Sequence, residues 1–160
     1  MRKFNVAVVA GLLVFAMAGS LFAQEQQESQ RSQVEVTRSE IQSDRQAIVA
    51  SNLPLTDEQA KAFWPLYREY RNDMQTVNDQ LVNLVQEYGQ QYQSLNDQQA
   101  ADLMKRYLKY QKEVTAVKEK YAPRFAKVLP QTTVLRFYQI ENKMDTIVML
   151  SVAAQIPLAK

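Results

Sequence analysis

The chain has 160 residues, of which 46% are hydrophobic and 22% are charged, a composition that fits one globular domain. It contains no Cys and no His, which excludes disulfides, thiolate or imidazole metal sites, and catalytic triads that depend on His. Its three glycines are too few and too scattered to form a phosphate-binding loop. The composition therefore predicts a binding protein that is not an enzyme and that uses neither a metal nor a cofactor.

The first 23 residues have the order of a secretory signal peptide. Two cations, Arg2 and Lys3, precede an apolar stretch at positions 6–17 that ends in small residues. A polar run follows directly, so the apolar stretch is shorter than the roughly 20 residues of a membrane-spanning helix. We expect cleavage after Ala23, with Ser20 as the alternative, and hence an exported protein with no stable membrane insertion.

Charge is divided unequally between the two halves of the remaining chain. Residues 24–98 carry 6 basic and 12 acidic side chains, whereas residues 99–160 carry 11 basic and 5 acidic ones. The halves should attract each other, within one chain or between two. Because the exported chain is neutral as a whole, we do not expect it to bind nucleic acid.

Residues 24–36 form a polar, Gln-rich leader, which we expect to be flexible. An all-helical domain is predicted over residues 37–160. Thr37 and Glu40 have the spacing of a capping box, in which each side chain accepts a hydrogen bond from the backbone amide of the other. We expect a short helix from there to about Ser51.

The same helix-starting device occurs twice more, forty residues apart. Thr56 with Gln59, and Asn96 with Gln99, are each an N-cap residue followed three positions later by a glutamine. The recurrence predicts that two long helices begin at these points.

Apolar residues recur every three or four positions after both caps, which is typical of helices with one buried stripe. The first long helix should run about 36 residues, or roughly 54 Å. Pro65 and Pro123 should kink the two arms. A fourth helix is predicted over about residues 132–154, and its apolar end should be buried in the domain or in a dimer. The sequence thus predicts an all-α fold, a long kinked helical hairpin with flanking helices. A dimer is expected because a thin hairpin buries little core by itself.

The segments Leu-Thr-Asp-Glu-Gln at 55–59 and Leu-Asn-Asp-Gln-Gln at 95–99 resemble the twice-occurring Leu-Thr-x-x-Gln motif of the Spy/CpxP family of periplasmic proteins. Asn96 stands in place of the second Thr, which suggests a divergent branch. The resemblance covers about residues 37–150. It implies a thin, curved homodimer in the periplasm that binds unfolded proteins without ATP. The alternative is a regulator or adaptor in envelope stress that binds one envelope partner, such as a sensor domain.

A candidate client- or partner-binding surface lies on the second long helix. Lys105, Lys109 and Lys112 form part of a basic stripe opposite the apolar stripe. Met104 and Leu108 lie beside these lysines, and exposed apolar and basic groups together suit a promiscuous binder of unfolded chains. The alternatives are that the stripe is merely solvated and that the two apolar residues pack against a flanking helix.

Two acids of the first long helix, Glu69 and Asp73, lie one turn apart beside Arg68 and Arg71. We interpret them as members of ordinary surface ion pairs and not as a general acid and base.

Overall fold

The structure, a computed structural model, describes residues 44–159 and is built from helices, with no strand among those residues. Helix α1 covers residues 44–52 of the described chain. It is followed by α2 (Asp57–Gln91), α3 (Asp97–Phe125) and α4 (Gln131–Ala153). The predicted signal peptide, the predicted leader and the Thr37–Glu40 capping box lie outside the described residues.

The two predicted capping boxes start the two long helices. The backbone amide of Gln59 donates to the Thr56 hydroxyl, and the Thr56 amide donates to the Gln59 side chain. Asn96 and Gln99 form the same reciprocal pair, with distances of 2.9 and 3.0 Å. Each box satisfies backbone donors that a helix start would otherwise leave unpaired. The predicted starts are therefore confirmed to the residue.

Helices α2 and α3 form an antiparallel hairpin in one continuous register. Four contacts between the two helices define this register. From one contact to the next, the position moves forward along α2 and backward along α3 by the same number of residues, which is four, then seven, then seven. The pairs are Glu69–Arg124 (2.6 Å), Asp73–Lys120 (2.7 Å), Gln80–Glu113 (2.6 Å) and Glu87–Arg106 (2.7 Å). A seven-residue interval keeps the same helix faces together, as in an antiparallel coiled coil. The predicted long hairpin is confirmed.

Aromatic side chains fill the base of the hairpin, where α4 packs against it. Phe137 of α4 lies 4.7 Å, centroid to centroid, from Phe125 of α3 and 5.3 Å from Phe63 of α2. Tyr70 and Tyr121 meet edge to face at 5.5 Å. All five rings are withdrawn from solvent, so the hydrophobic core is concentrated at this end of the molecule.

Helix α1 runs antiparallel to α4. Arg45, near its beginning, bonds to Glu141, whereas the carbonyl of Asn52, at its end, accepts a bond from Arg136 Nε at 2.7 Å. The apolar side chain of Val49 is completely buried between these two contacts. The fourth predicted helix and the short first helix thus pack together on the hairpin base.

The far end of α4 differs from its prediction. Ile147 is 56% exposed and Leu150 is 70% exposed, so their expected burial within the domain is wrong. The apolar stripe of α4 that is buried faces the hairpin, and Ile147 lies beside this stripe while Leu150 lies opposite it. Burial in a homodimer concerns a second copy of the chain and stays a prediction. None of the helices among the described residues is long and apolar enough to span a membrane.

Candidate binding surface

Met104 and Leu108 lie on the outer side of α3 and are open to solvent. Their exposed fractions are 58% and 48%, and neither side chain is covered by α1 or α4. The four-residue interval places them one above the other on the helix, with roughly 5–6 Å between their Cβ atoms. The alternative that they pack against a flanking helix is therefore wrong, and α3 presents two adjacent flexible apolar side chains.

Three lysines border this apolar pair. Lys105, Lys109 and Lys112 are all exposed, and Lys109 contacts Glu113 of its own helix at 3.4 Å. Lys105 and Lys112 form no ion pair with any residue in the described part of the chain. We call these five residues the α3 strip: Met104, Lys105, Leu108, Lys109 and Lys112. The structure brings together all five predicted binding residues on one solvent-facing side of the helix.

The attraction predicted between the acidic and basic halves is found within one chain. Glu69, Asp73 and Glu87 of α2 each pair with a cation of α3. A hydrogen bond from Lys120 holds the pKa of Asp73 below its ordinary value. Ion pairing was predicted for Glu69 and Asp73, and their partners are residues of the other arm, whereas the sequence neighbours had been expected.

A buried ionic cluster, which the sequence analysis did not predict, joins the helices at the hairpin base. Glu141 of α4 is completely buried and accepts bonds from Arg45 Nη1 at 3.0 Å and Arg71 Nη1 at 3.2 Å. The Tyr67 hydroxyl donates to its second oxygen at 3.4 Å. Burial raises the pKa of the Glu141 carboxyl, and the two guanidinium charges oppose this shift. The cluster thus anchors α1 and α4 to α2.

Asp145 extends the cluster to the remaining helix. Its carboxylate lies 2.9 Å from Arg45 Nη1 and 3.6 Å from Lys118 Nζ of α3. All four helices therefore contribute a charged side chain to one connected set.

A signal for this cluster exists in the sequence. Glu141 has the helical spacing of the apolar residues Val134, Phe137 and Met144, all of which are buried with it. An acid on an apolar stripe needs cations or hydrogen-bond donors around it if it is to be buried in its charged form. The partner cations could not be found in the same way, because they lie on other helices.

Among residues 44–159, no three His, Cys, Asp or Glu side chains come together as a group that could hold a metal ion. Comparison with protein families, with characterised proteins and with solved structures found no match to this chain. The resemblance to the Spy/CpxP family therefore depends on the two motif segments, whose observed role is helix capping.

Proposed function

We propose that this chain is an exported, non-catalytic binding protein that holds unfolded polypeptides in the periplasm without ATP. The observation that carries the proposal is the α3 strip, in which two exposed apolar side chains lie among lysines. Unfolded chains expose apolar residues that a folded partner would bury, so such a surface selects them over folded proteins.

The chemistry of the α3 strip favours reversible binding. Full burial of a Leu or Met side chain contributes about 1.5–3 kcal/mol, and Met104 and Leu108 are already about half covered. The two contacts together thus give only a few kcal/mol, and the client can dissociate without an energy source. The lysines add an attraction that acts over roughly 10 Å at 0.1 M salt and weakens as salt rises.

The test is aggregation of a chemically unfolded polypeptide, followed by light scattering with the purified exported chain at near-stoichiometric ratios without ATP. We expect the chain to suppress aggregation, and less so at high salt. Met104→Ser/Leu108→Ser should suppress it less well than the wild type. Gln75→Ser/Gln86→Ser is the matched control, because both glutamines are exposed on α2. Absence of suppression at every ratio would contradict the chaperone function.

The small size of the α3 strip favours a second candidate, an adaptor for one envelope partner. Residues 104–112 span about 12 Å of helix. This is a small surface for a protein that must recognise many different clients. A photo-crosslinking residue placed at Leu108 in the living cell separates the two functions. A single crosslinked product would identify an adaptor, whereas a broad distribution of products would support a chaperone.

A further inference from the structure

Exposed apolar side chains also lie on α4, outside the stripe that faces the hairpin. Leu135, Ile147 and Leu150 are 61%, 56% and 70% exposed. At 100° per residue they fall within an arc of about 120°. We call these three residues, together with the exposed Arg136 and Lys143 in the same arc, the α4 face.

The charge of the α4 face has one sign. Among the exposed positions of α4 the charged residues are Arg136 and Lys143, and no acid is among them. The two acids of the helix are engaged elsewhere, since Glu141 is buried and Asp145 is bound by Arg45 and Lys118. The α4 face therefore combines apolar contacts with positive charge, as the α3 strip does.

The chain end adds a further exposed apolar side chain beyond α4. The Tyr88 hydroxyl of α2 donates to the carbonyl of Pro157 at 2.8 Å. This bond holds the tail against the far half of the hairpin, and the next residue, Leu158, is 89% exposed.

A second copy of this chain is a poor occupant of the α4 face. Pairing two such faces would place two surfaces of the same positive charge against each other, since each carries Arg136 and Lys143. The acidic helix α2 offers no apolar match, because every large apolar side chain exposed among residues 44–159 lies at position 104 or later. The complementary occupant is a polypeptide segment with apolar side chains flanked by acids.

We propose that the α4 face is a second binding surface for such apolar, acidic segments, so that one chain binds an unfolded polypeptide at two places. This inference rests on the proposed function, in that the ligand is a polypeptide held by the α3 strip as well. Two linked sites bind one flexible chain more tightly than either does alone, because the second contact forms within the complex.

The decisive experiment measures binding of two permanently unfolded probes by fluorescence anisotropy. Reduced, carboxamidomethylated α-lactalbumin is the acidic probe, and lysozyme treated in the same way is the basic one. Ile147→Ser/Leu150→Ser should weaken binding of the acidic probe about tenfold, because each substitution removes an apolar side chain that would contact the probe. Gln75→Ser/Gln86→Ser, with two serines on α2, should leave it unchanged. Circular dichroism verifies that both variants keep their helix content.

A short synthetic peptide, with two leucines one helical turn apart among glutamates, tests the number of sites. Calorimetry should give two peptides per wild-type chain, and one per chain for either Ile147→Ser/Leu150→Ser or Met104→Ser/Leu108→Ser. Wild-type affinity and stoichiometry in the α4 variant, with loss in the α3 variant, would overturn the α4 face and leave the proposed function intact. Equal binding of the basic probe would overturn its charge selectivity. Absence of binding by either probe to the wild type would overturn the proposed function itself.

Discussion

The guanidinium of Arg45 lies 3.0 Å from the carboxylate of Glu141, and both side chains are almost fully withdrawn from water. The two residues are 96 positions apart in the chain, so the contact ties the first described helix to the last. Arg71 contacts the same carboxylate oxygen from α2. Removing charges of this kind from water is costly, and the attraction compensates only while every member is present.

Glu141→Gln should therefore destabilise the protein strongly, because it leaves Arg45 and Arg71 buried without their shared counter-charge. We expect the free energy of unfolding to fall by about 3–5 kcal/mol. Urea denaturation followed by circular dichroism measures it. Asp145→Asn is the matched control and should cost less, since Asp145 is partly exposed. A loss below about 1 kcal/mol for Glu141→Gln, the range of surface pairs, would contradict the buried cluster.

Removing either N-cap should lower stability by a similar, smaller amount. Thr56→Ala and Asn96→Ala each delete a side-chain acceptor for a backbone amide, and each should cost about 1 kcal/mol. Thr76→Ala makes the same chemical change within α2, where the hydroxyl donates to the carbonyl of Asn72. That control should be neutral or slightly stabilising, because such a bond adds little inside a helix. Equal melting temperatures for all three variants would show that capping does not limit stability.

Tyr70, which is buried, and Tyr138, which is partly buried, should respond oppositely to loss of the hydroxyl. The Tyr70 hydroxyl finds no hydrogen-bond partner among the described residues, so Tyr70→Phe should be neutral or stabilising. Tyr138 donates to the carbonyl of Lys118 at 3.0 Å, and Tyr138→Phe should cost about 1 kcal/mol. Denaturant midpoints of the two variants make the comparison. A large loss from Tyr70→Phe would reveal an acceptor, such as a buried water molecule, at that hydroxyl.

Alkaline pH should destabilise the protein because its partly buried tyrosines ionise more readily in the unfolded chain. Burial raises the pKa of Tyr110 and of Tyr138 to about 12, whereas the pKa of a tyrosine in the unfolded chain is about 10. Between these values the folded state binds more protons than the unfolded state, so stability is full below pH 10 and falls as the pH rises towards 12. Absorbance at 295 nm and denaturant midpoints across this range measure both effects. Tyr110→Phe should make the decline shallower, and an unchanged slope would contradict the assignment.

The sequence by itself determined where α2 and α3 begin and approximately how long α2 is. The caps at Thr56 and Asn96 act through hydrogen bonds that span three residues, and the apolar repeat depends only on helix geometry. The exposure of the three lysines of the α3 strip was also predictable, because they lie opposite the buried stripe of the same helix, whereas the exposure of Met104 and Leu108 was decided by the packing of the flanking helices. Each of the predictable features is local, and the neighbouring residues are sufficient to specify it.

Tertiary structure alone decided which residues meet across helices. The sequence placed Asp73 beside arginines of its own helix, but the hairpin register brings it to Lys120. Glu141 interrupts an apolar stripe, yet only the packing of α1 and α2 supplies its cations. Ile147 belongs to an apolar segment whose composition indicates burial, and α4 has only one side facing the core. These outcomes depend on how whole helices pack, and packing is set by contacts between residues far apart in the chain.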